Sequence, residues 1–189
     1  MDADELRQLA RRAANYTGYR QILVLGSQAI HGSLPGVTLP EITTLSEEAD
    51  LAVVTDLAGD TPHQIEAQFG MGSPYHQHFG VYADGISLSE VALPEWWEGR
   101  LRTERVDHAT DPDNAVTVLF PEIHDLCASK MAVAVTGGFG RRSDRVFVEA
   151  LVVAGLVDLD VLGERVDRLP DTVAPQVKQA ARAIVVGLR

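Results

Sequence analysis

Two stretches of sequence decide how this chain folds: QILVLGS at residues 21–27 and EADLAVVT at residues 48–55. The first is a short, partly β-branched apolar run that ends at Gly26 and Ser27, which is typical of a buried strand turning into a helix. Backbone N–H groups converge at such a turn, and the helix dipole there favours an anion. The stretch therefore predicts a phosphate site at Gly26 and Ser27, with a plain strand-to-helix turn as the alternative.

The second stretch places two carboxylates at the start of another predicted strand. Glu48 and Asp50 are separated by one residue, so on an extended chain both side chains lie on one face of the sheet. Two carboxylates beside a phosphate are sufficient for Mg²⁺ or Mn²⁺, because water and substrate oxygens fill the other positions of magnesium. Such a pair alone is typical of a solvated loop, and the order of the two stretches favours a nucleotide and metal site.

The order of these motifs carries a family resemblance. Gly26-Ser27, followed by Glu48-Ala49-Asp50-Leu51, resembles the Gly-Ser and Asp-x-Asp signature of the polymerase-β-like nucleotidyltransferase superfamily. Further along, the chain resembles the Lys and Arg-x-x-Asp helical segment of the AbiEii and MenT-like toxin nucleotidyltransferases and their uncharacterised bacterial relatives. The residues that carry this resemblance are Lys130, Arg141-Arg142-Ser143-Asp144 and Phe147-Val148. The motifs lie within residues 22–153.

The resemblance implies an α+β fold. A nucleotidyltransferase-like mixed β-sheet flanked by helices is expected at residues 1–120, with a C-terminal helical lobe at residues 121–189 packed on that core. It also implies an enzyme that transfers a nucleotidyl group from an NTP, with Mg²⁺ or Mn²⁺, to an acceptor hydroxyl. If the chain is toxin-like, the acceptor resembles a tRNA 3′ end and a cognate antitoxin is a protein partner.

The resemblance also assigns roles to individual residues. In that interpretation Lys130 contacts the triphosphate or stabilises the charge that develops on it. Asp144 orients Lys130, orients an arginine or assists the acceptor hydroxyl. The residues are Asp50, Lys130 and Asp144 as catalytic, Gly26, Ser27, Lys130 and Arg141 as nucleotide-binding, and Glu48 and Asp50 as metal ligands. Without the motif, Lys130 is ordinary helix surface and Asp144 complements a helix dipole.

The chain departs from the family pattern at two points. The first metal acid of the family is most often Asp, and here it is Glu48, which is one methylene longer. Polymerase-like members place a third acid on a neighbouring strand, for which Asp84 and Glu90 are the candidates. These departures keep a second hypothesis open, a nucleotide-binding or regulatory protein of the same fold with reduced catalysis. A dinucleotide-dependent oxidoreductase is disfavoured, because the turn lacks Gly-x-Gly-x-x-Gly spacing.

The composition is that of a folded domain without a cysteine framework. Of 189 residues, 46% are apolar, which is enough for one core. The single cysteine, Cys127, lies in an apolar helical pattern, which fits packing in a reducing compartment. No apolar run approaches the roughly 20 residues of a membrane span, and the first residues are acidic rather than signal-like. We therefore expect a cytoplasmic protein with no membrane partner.

The charge distribution bears on the acceptor. A net charge of −11 repels nucleic acid unless basic residues gather on one face, which weighs against general RNA or DNA binding. A polynucleotide acceptor is still possible, because two local groups of arginines could form a basic patch. These arginines are Arg100, Arg102, Arg105, Arg141, Arg142 and Arg145. A small acceptor is the other possibility.

Periodicity and turn residues predict the remaining elements. Asp84-Gly85 predicts a hairpin, and His76 and His78 are expected on one strand face, where local hydrogen bonding is favoured over a metal site because no third ligand lies nearby. Helices are expected at 4–16, 62–69, 121–135, 142–154, 158–169 and 172–188, and further strands at 75–83, 86–93, 102–108 and 115–119.

Overall fold

The computed structural model of this chain describes residues 1–56, 59–107, 114–136 and 141–188, except for the side chain of Arg141. The fold is α+β, with a five-stranded mixed sheet flanked by helices, as the sequence predicted. The strands are β1 (Gln21–Leu25), β2 (Glu48–Ala52), β3 (Tyr82–Gly85), β4 (Arg102–Val106) and β5 (Val116–Phe120). The described helices are α1 (Ala3–Thr17), α2 (Ile30–Ser33), α3 (Thr61–Phe69), α4 (Pro74–Phe79), α5 (Ile123–Thr136), α6 (Arg141–Val153), α7 (Leu159–Asp167) and α8 (Pro175–Gly187).

Strand β1 lies at the centre of the sheet, whose order is β3-β2-β1-β5-β4. It runs antiparallel to β2 and parallel to β5, while β2 runs parallel to β3 and β4 runs antiparallel to β5. Leu25 at the end of β1 pairs with Asp50 of β2. Because paired residues point to the same face and alternate residues share a face, Leu25, Glu48 and Asp50 lie on one side of the sheet.

Helix α1 covers the other side. Its N-terminus is fixed by a capping box in which the Asp2 carboxylate accepts from two backbone N–H groups and Glu5 accepts from the Asp2 N–H. Its apolar stripe packs in one cluster with Ile22 and Val24 of β1. The buried residues of that stripe are Leu6, Leu9, Ala10, Ala13 and Ala14.

The C-terminal helices are organised around α5, which packs against α6, α7 and α8. Leu126, Cys127 and Met131 of α5 are buried in the same apolar cluster as α1 and β1, so one continuous core joins these helices to the sheet. Two polar residues of α5 are buried with them, Asp125 and Lys130. The sheet face that bears Leu25 carries a smaller apolar cluster, to which residues 86–93 contribute.

The structure corrects the sequence prediction at residues 75–93. The expected strand at 75–83 is wrong: α4 occupies Pro74–Phe79, capped by Ser73, whose hydroxyl accepts from the His76 N–H. His76 and His78 are therefore neighbours on a helix rather than on a strand face, and the His76 ring instead accepts a hydrogen bond from the Gly72 N–H. The expected strand at 86–93 is also wrong, because that segment contains a 3₁₀ turn at Leu88–Glu90.

The predicted hairpin at Asp84 and Gly85 is wrong for a packing reason. Both residues belong to β3, which pairs parallel to β2. A Cβ atom on Gly85 would lie 1.9 Å from the Pro62 carbonyl oxygen. Glycine is required here so that α3 can approach the strand, and it does not mark a turn.

The other predicted helices and strands are present, with ends shifted by a few residues. Two sequences that predict turns, Asp-Pro-Asp-Asn at residues 111–114 and Gly-Gly-Phe-Gly at residues 137–140, lie outside the described residues, apart from Asn114. In the part of the chain that the structure describes, no helix is both long and apolar enough to cross a membrane.

Candidate active site

Gly26 forms the turn at the end of β1. Its backbone has φ 61° and ψ −153°, a conformation that essentially only glycine adopts. A Cβ atom at this position would lie 1.7 Å from Asp50 Oδ2. Both the backbone conformation and the close approach of the Asp50 carboxylate therefore require glycine.

The helix after this turn is too short for the anion site that was predicted from its dipole. Ser27 opens a 3₁₀ turn, Ser27–Ala29, which leads into α2 (Ile30–Ser33) of only four residues. So short an element has little macrodipole, so the helix N-terminus contributes little to anion binding here. The positive charge at the turn comes instead from Lys130.

Lys130 connects the turn to the helical lobe. Its Nζ donates a hydrogen bond to Asp144 Oδ1 at 2.6 Å and another to Ser27 Oγ at 3.2 Å. The ammonium also lies 4.6 Å from the centre of the Phe147 ring, a distance suited to a cation–π contact. Lys130 is 7% exposed, so it is a fixed, nearly buried cation. The contact predicted between Lys130 and Asp144 is present.

The two acids of β2 lie beside this lysine. The Ser46 hydroxyl accepts from the Glu48 N–H at 3.1 Å and lies 3.2 Å from the Glu48 carbonyl oxygen, so the start of β2 is anchored. The Tyr82 hydroxyl donates to Glu48 Oε2 at 2.8 Å. Burial, that hydrogen bond and nearby carboxylates raise the pKa of Tyr82 to about 12, so its hydroxyl stays a donor at neutral pH.

Asp50 has a perturbed acidity. Burial raises its pKa to about 7, the charges of Glu48 and Asp84 contribute to the rise, and Lys130 partly opposes them. The shift therefore arises first from burial of the carboxylate and second from repulsion by neighbouring carboxylates, which one lysine does not offset. Strongly perturbed carboxylates in a cleft are typical of functional sites.

A cleft of about 870 Å³ separates the acid pair from the helical lobe. Its polar end is lined by Ser27, Glu48, Asp50, Lys130 and Asp144, together with Gly26, Ser46 and Ser143. Its other walls are mostly aliphatic and come from residues 86–93, from α5 and from residues 172–177. Lys130 is the one basic side chain among the described residues that line the cleft.

The two candidates for a third acid, Asp84 and Glu90, differ in their position relative to the cleft. Asp84 pairs in register with Asp50 across the β2–β3 ladder, but it is not among the residues that line the cleft. Glu90 lines the cleft and is exposed at its rim. Within the described ranges, no three His, Cys, Asp or Glu side chains are grouped so that they hold a metal ion.

The predicted arginine patch is not a single surface. Arg100 donates two hydrogen bonds, of 2.8 and 2.9 Å, to the buried carboxylate of Asp125. Its guanidinium therefore pairs with an interior acid and does not contribute to a surface patch. Arg102 and Arg105 lie on β4, at the opposite edge of the sheet from β3. Arg142 and Arg145 are exposed in the first turns of α6, next to Asp144. Arg141 is the first residue of that helix. Its side chain lies outside the described part of the structure, so its role in nucleotide binding stays a prediction.

Sequence reasoning missed Tyr82 as part of the site, and it placed Phe147 in the helical motif without giving it a role. Tyr82 reaches Glu48 only because β3 pairs parallel to β2, and no local pattern predicts that pairing. Phe147 had a weak signal, since it lies three residues after Asp144 and therefore on the same side of α6. Comparisons with protein-family models, with curated proteins and with solved structures found no significant match.

Proposed function

We propose that this protein is a metal-dependent nucleotidyltransferase that uses an NTP. The observation that carries the proposal is the position of Lys130, which is nearly buried and is hydrogen-bonded at once to Ser27 and Asp144. This cation stands at the end of β1, where Asp50 packs against Gly26. A fixed cation beside a carboxylate pair is the combination that phosphoryl chemistry needs.

The donor set fits a divalent cation. Glu48 and Asp50 supply hard oxygen ligands from one face of β2, and magnesium accepts one or two protein carboxylates when phosphate and water complete its shell. The raised pKa of Asp50 agrees with this fit, because burial is its largest cause and the charge of Glu48 adds to it, and a bound cation would relieve both effects. Bound Mg²⁺ or Mn²⁺ would offset the charge that develops on the transferred phosphate and on the leaving pyrophosphate.

The residues of the chain position the substrate. Lys130 offers N–H donors to the phosphate oxygens, and Asp144 keeps the ammonium directed into the cleft. Ser27 lies within reach of the same oxygens, because it already shares a hydrogen bond with Lys130. The acceptor hydroxyl gives its proton to water and attacks the α-phosphorus. The bond from that phosphorus to the oxygen that bridges the α- and β-phosphates breaks, and pyrophosphate leaves with that oxygen.

For the acceptor we propose a tRNA 3′ end, as the toxin resemblance implies. Arg142 and Arg145 are exposed on the helix that carries Asp144, where they would meet backbone phosphates of the tRNA. A cognate antitoxin that covers the cleft would then be the protein partner. A small hydroxylated acceptor is the alternative, because the carboxylates that line the cleft would repel a polynucleotide.

The direct test is incubation of the protein with each labelled NTP, Mg²⁺ or Mn²⁺ and total tRNA. We expect labelled tRNA from one or more NTPs, dependent on the metal and lowered about 100-fold by Lys130→Ala. Arg102→Ala is the matched control, since it removes one exposed cation from β4, far from the cleft in the strand order. Transfer that survives Lys130→Ala would contradict the proposed role of the lysine.

A nucleotide-binding protein with reduced catalysis is the second candidate. Two observations favour it: Glu48 stands where the family most often has Asp, and Asp84 does not line the cleft with Glu48 and Asp50. NTP binding that depends on Mg²⁺ and on Lys130, without any product from tRNA or small acceptors, would support this candidate over the enzyme.

A further inference from the structure

Tyr82 is placed to fix the side chain that departs most from the family pattern. Glu48 and Tyr82 are register partners in the parallel β2–β3 pair, so their side chains extend from the same face of the sheet. The Tyr82 hydroxyl donates to Glu48 Oε2 at 2.8 Å, and the tyrosine is 8% exposed. The hydroxyl therefore contacts the glutamate from a rigid, buried position.

A glutamate needs such a partner more than an aspartate does. Its extra methylene adds a rotatable bond, and holding a longer side chain in one rotamer loses more conformational entropy. Ser46 anchors the backbone of Glu48 on both its N–H and its carbonyl oxygen. Tyr82 adds a restraint at the carboxylate through Oε2, and the Asp50 side chain is hydrogen-bonded to the same glutamate.

The tyrosine is itself supported by α4. The ring of His76 lies 5.0 Å from the Tyr82 ring, centre to centre. His76 is held in turn through its Nδ1, which accepts the Gly72 N–H at 2.9 Å. Tyr82 is thus one link between α4 and the carboxylate pair.

We propose that Tyr82 is a positioning residue that holds the Glu48 carboxylate in its metal-binding orientation and so allows a glutamate to serve at this place. The inference rests on the proposed function, because it takes Glu48 as a metal ligand. Hydrogen bonds to a ligating carboxylate orient it, and their loss typically lowers metal affinity or activity about 10- to 100-fold. An aspartate at position 48 is too short to retain the same bond.

A double-mutant cycle tests this relation with four proteins: the wild type, Tyr82→Phe, Glu48→Asp and the double variant. Mn²⁺ binding in the presence of a non-hydrolysable NTP analogue is measured by electron paramagnetic resonance, and thermal unfolding checks that each variant folds. We expect Tyr82→Phe to weaken Mn²⁺ binding about 10-fold or more with glutamate at position 48. With aspartate at that position, the same change should alter binding less than about twofold.

The matched control is Tyr16→Phe, which removes the hydroxyl of a tyrosine that is 54% exposed on α1; it should leave Mn²⁺ binding unchanged. Equal losses from Tyr82→Phe in both backgrounds, or no loss with Glu48 present, would overturn the positioning role while leaving the proposed function standing. Absence of Mn²⁺ binding by the folded wild type would overturn the metal-dependent function and the inference with it.

Discussion

Lys130 Nζ lies 2.6 Å from Asp144 Oδ1, although the two residues belong to different helices and the lysine is nearly buried. The same nitrogen contacts Ser27, so the ion pair joins the helical lobe to the end of β1. Neither helix alone would hold the ammonium at the cleft. The ion pair between these two residues therefore fixes the position of the helical lobe's ammonium in the proposed site.

Lys130 and Asp144 should behave as one unit in catalysis. Lys130→Ala should lower nucleotidyl transfer about 100-fold, because it removes a donor aimed at the phosphates. Asp144→Ala should lower it less, since the lysine stays but is no longer directed. The double variant should lose little more than the worse single variant in kcat/KM measurements. Additive losses would show independent roles.

Removal of the Asp50 charge should change how stability depends on pH. The pKa of Asp50 is raised in the folded protein from an ordinary value of 3.8 to about 7. The folded state therefore holds this proton more tightly, and its contribution to stability is complete below about pH 4 and lost as pH rises to about 7. Over this interval the free energy of unfolding changes by at most about 1.4 kcal/mol for each pH unit. Solvent screening of the partly exposed carboxylate reduces the change, so we expect the wild type to lose about 2 kcal/mol in total.

Denaturant unfolding of Asp50→Asn against the wild type from pH 4 to pH 8 measures this. The variant should gain relative stability as pH rises across that interval, while transfer activity is lost at every pH. The exposed Asp60→Asn serves as the control. A stability difference that stays constant with pH would show that neither burial nor neighbouring carboxylates raise the pKa of Asp50.

Gly26→Ala should destabilise the fold for two separable reasons. The backbone has a positive φ, and the new Cβ would overlap Asp50 Oδ2. Gly36→Ala is the matched control, because Gly36 has φ 73° but no neighbouring atom lies within 4 Å of the place that a Cβ would take. Urea unfolding should show a loss of about 1 kcal/mol for Gly36→Ala and clearly more for Gly26→Ala. Equal losses would mean that Asp50 moves away without cost.

Asp125 should be the most sensitive charged residue of α5. Its carboxylate is fully buried, accepts two hydrogen bonds from Arg100 and lies 3.1 Å from Arg165 Nε. Asp125→Ala leaves two half-buried cations without their buried carboxylate partner, so the free energy of unfolding should fall by about 3 kcal/mol. Glu149→Ala breaks the largely exposed pair with Arg145 and should cost less than about 0.5 kcal/mol. Comparable losses would mean that water reaches Asp125.

Local patterns were sufficient for the parts of the site that lie in single segments. The apolar run before Gly26 predicted β1, and the spacing of Glu48 and Asp50 predicted two carboxylates on one face of β2. Helical periodicity around Lys130 and Asp144 predicted two adjacent helices, and their contact followed from folding those helices against each other. These features depend on neighbours in sequence.

The missed features depend on partners far away in sequence. Gly85 was interpreted as a turn residue, but its role is to let the Pro62 backbone of α3 approach β3. The contact between Tyr82 and Glu48 requires the parallel pairing of strands that are 34 residues apart. At residues 74–79, the Ser-Pro cap outweighed an alternation of apolar and polar residues that favoured a strand. Sequence periodicity does not contain that tertiary information.

The fate of a label tests nucleotidyl transfer most directly. The wild-type protein is incubated with Mg²⁺, total tRNA and an NTP labelled at either the α- or the γ-phosphate, with Lys130→Ala and Arg102→Ala in parallel. Nucleotidyl transfer predicts that the α-label enters the acceptor and the γ-label leaves in pyrophosphate, in the wild type and in Arg102→Ala but not in Lys130→Ala. Recovery of the γ-label in the acceptor, or transfer unaffected by loss of Lys130, would contradict the account.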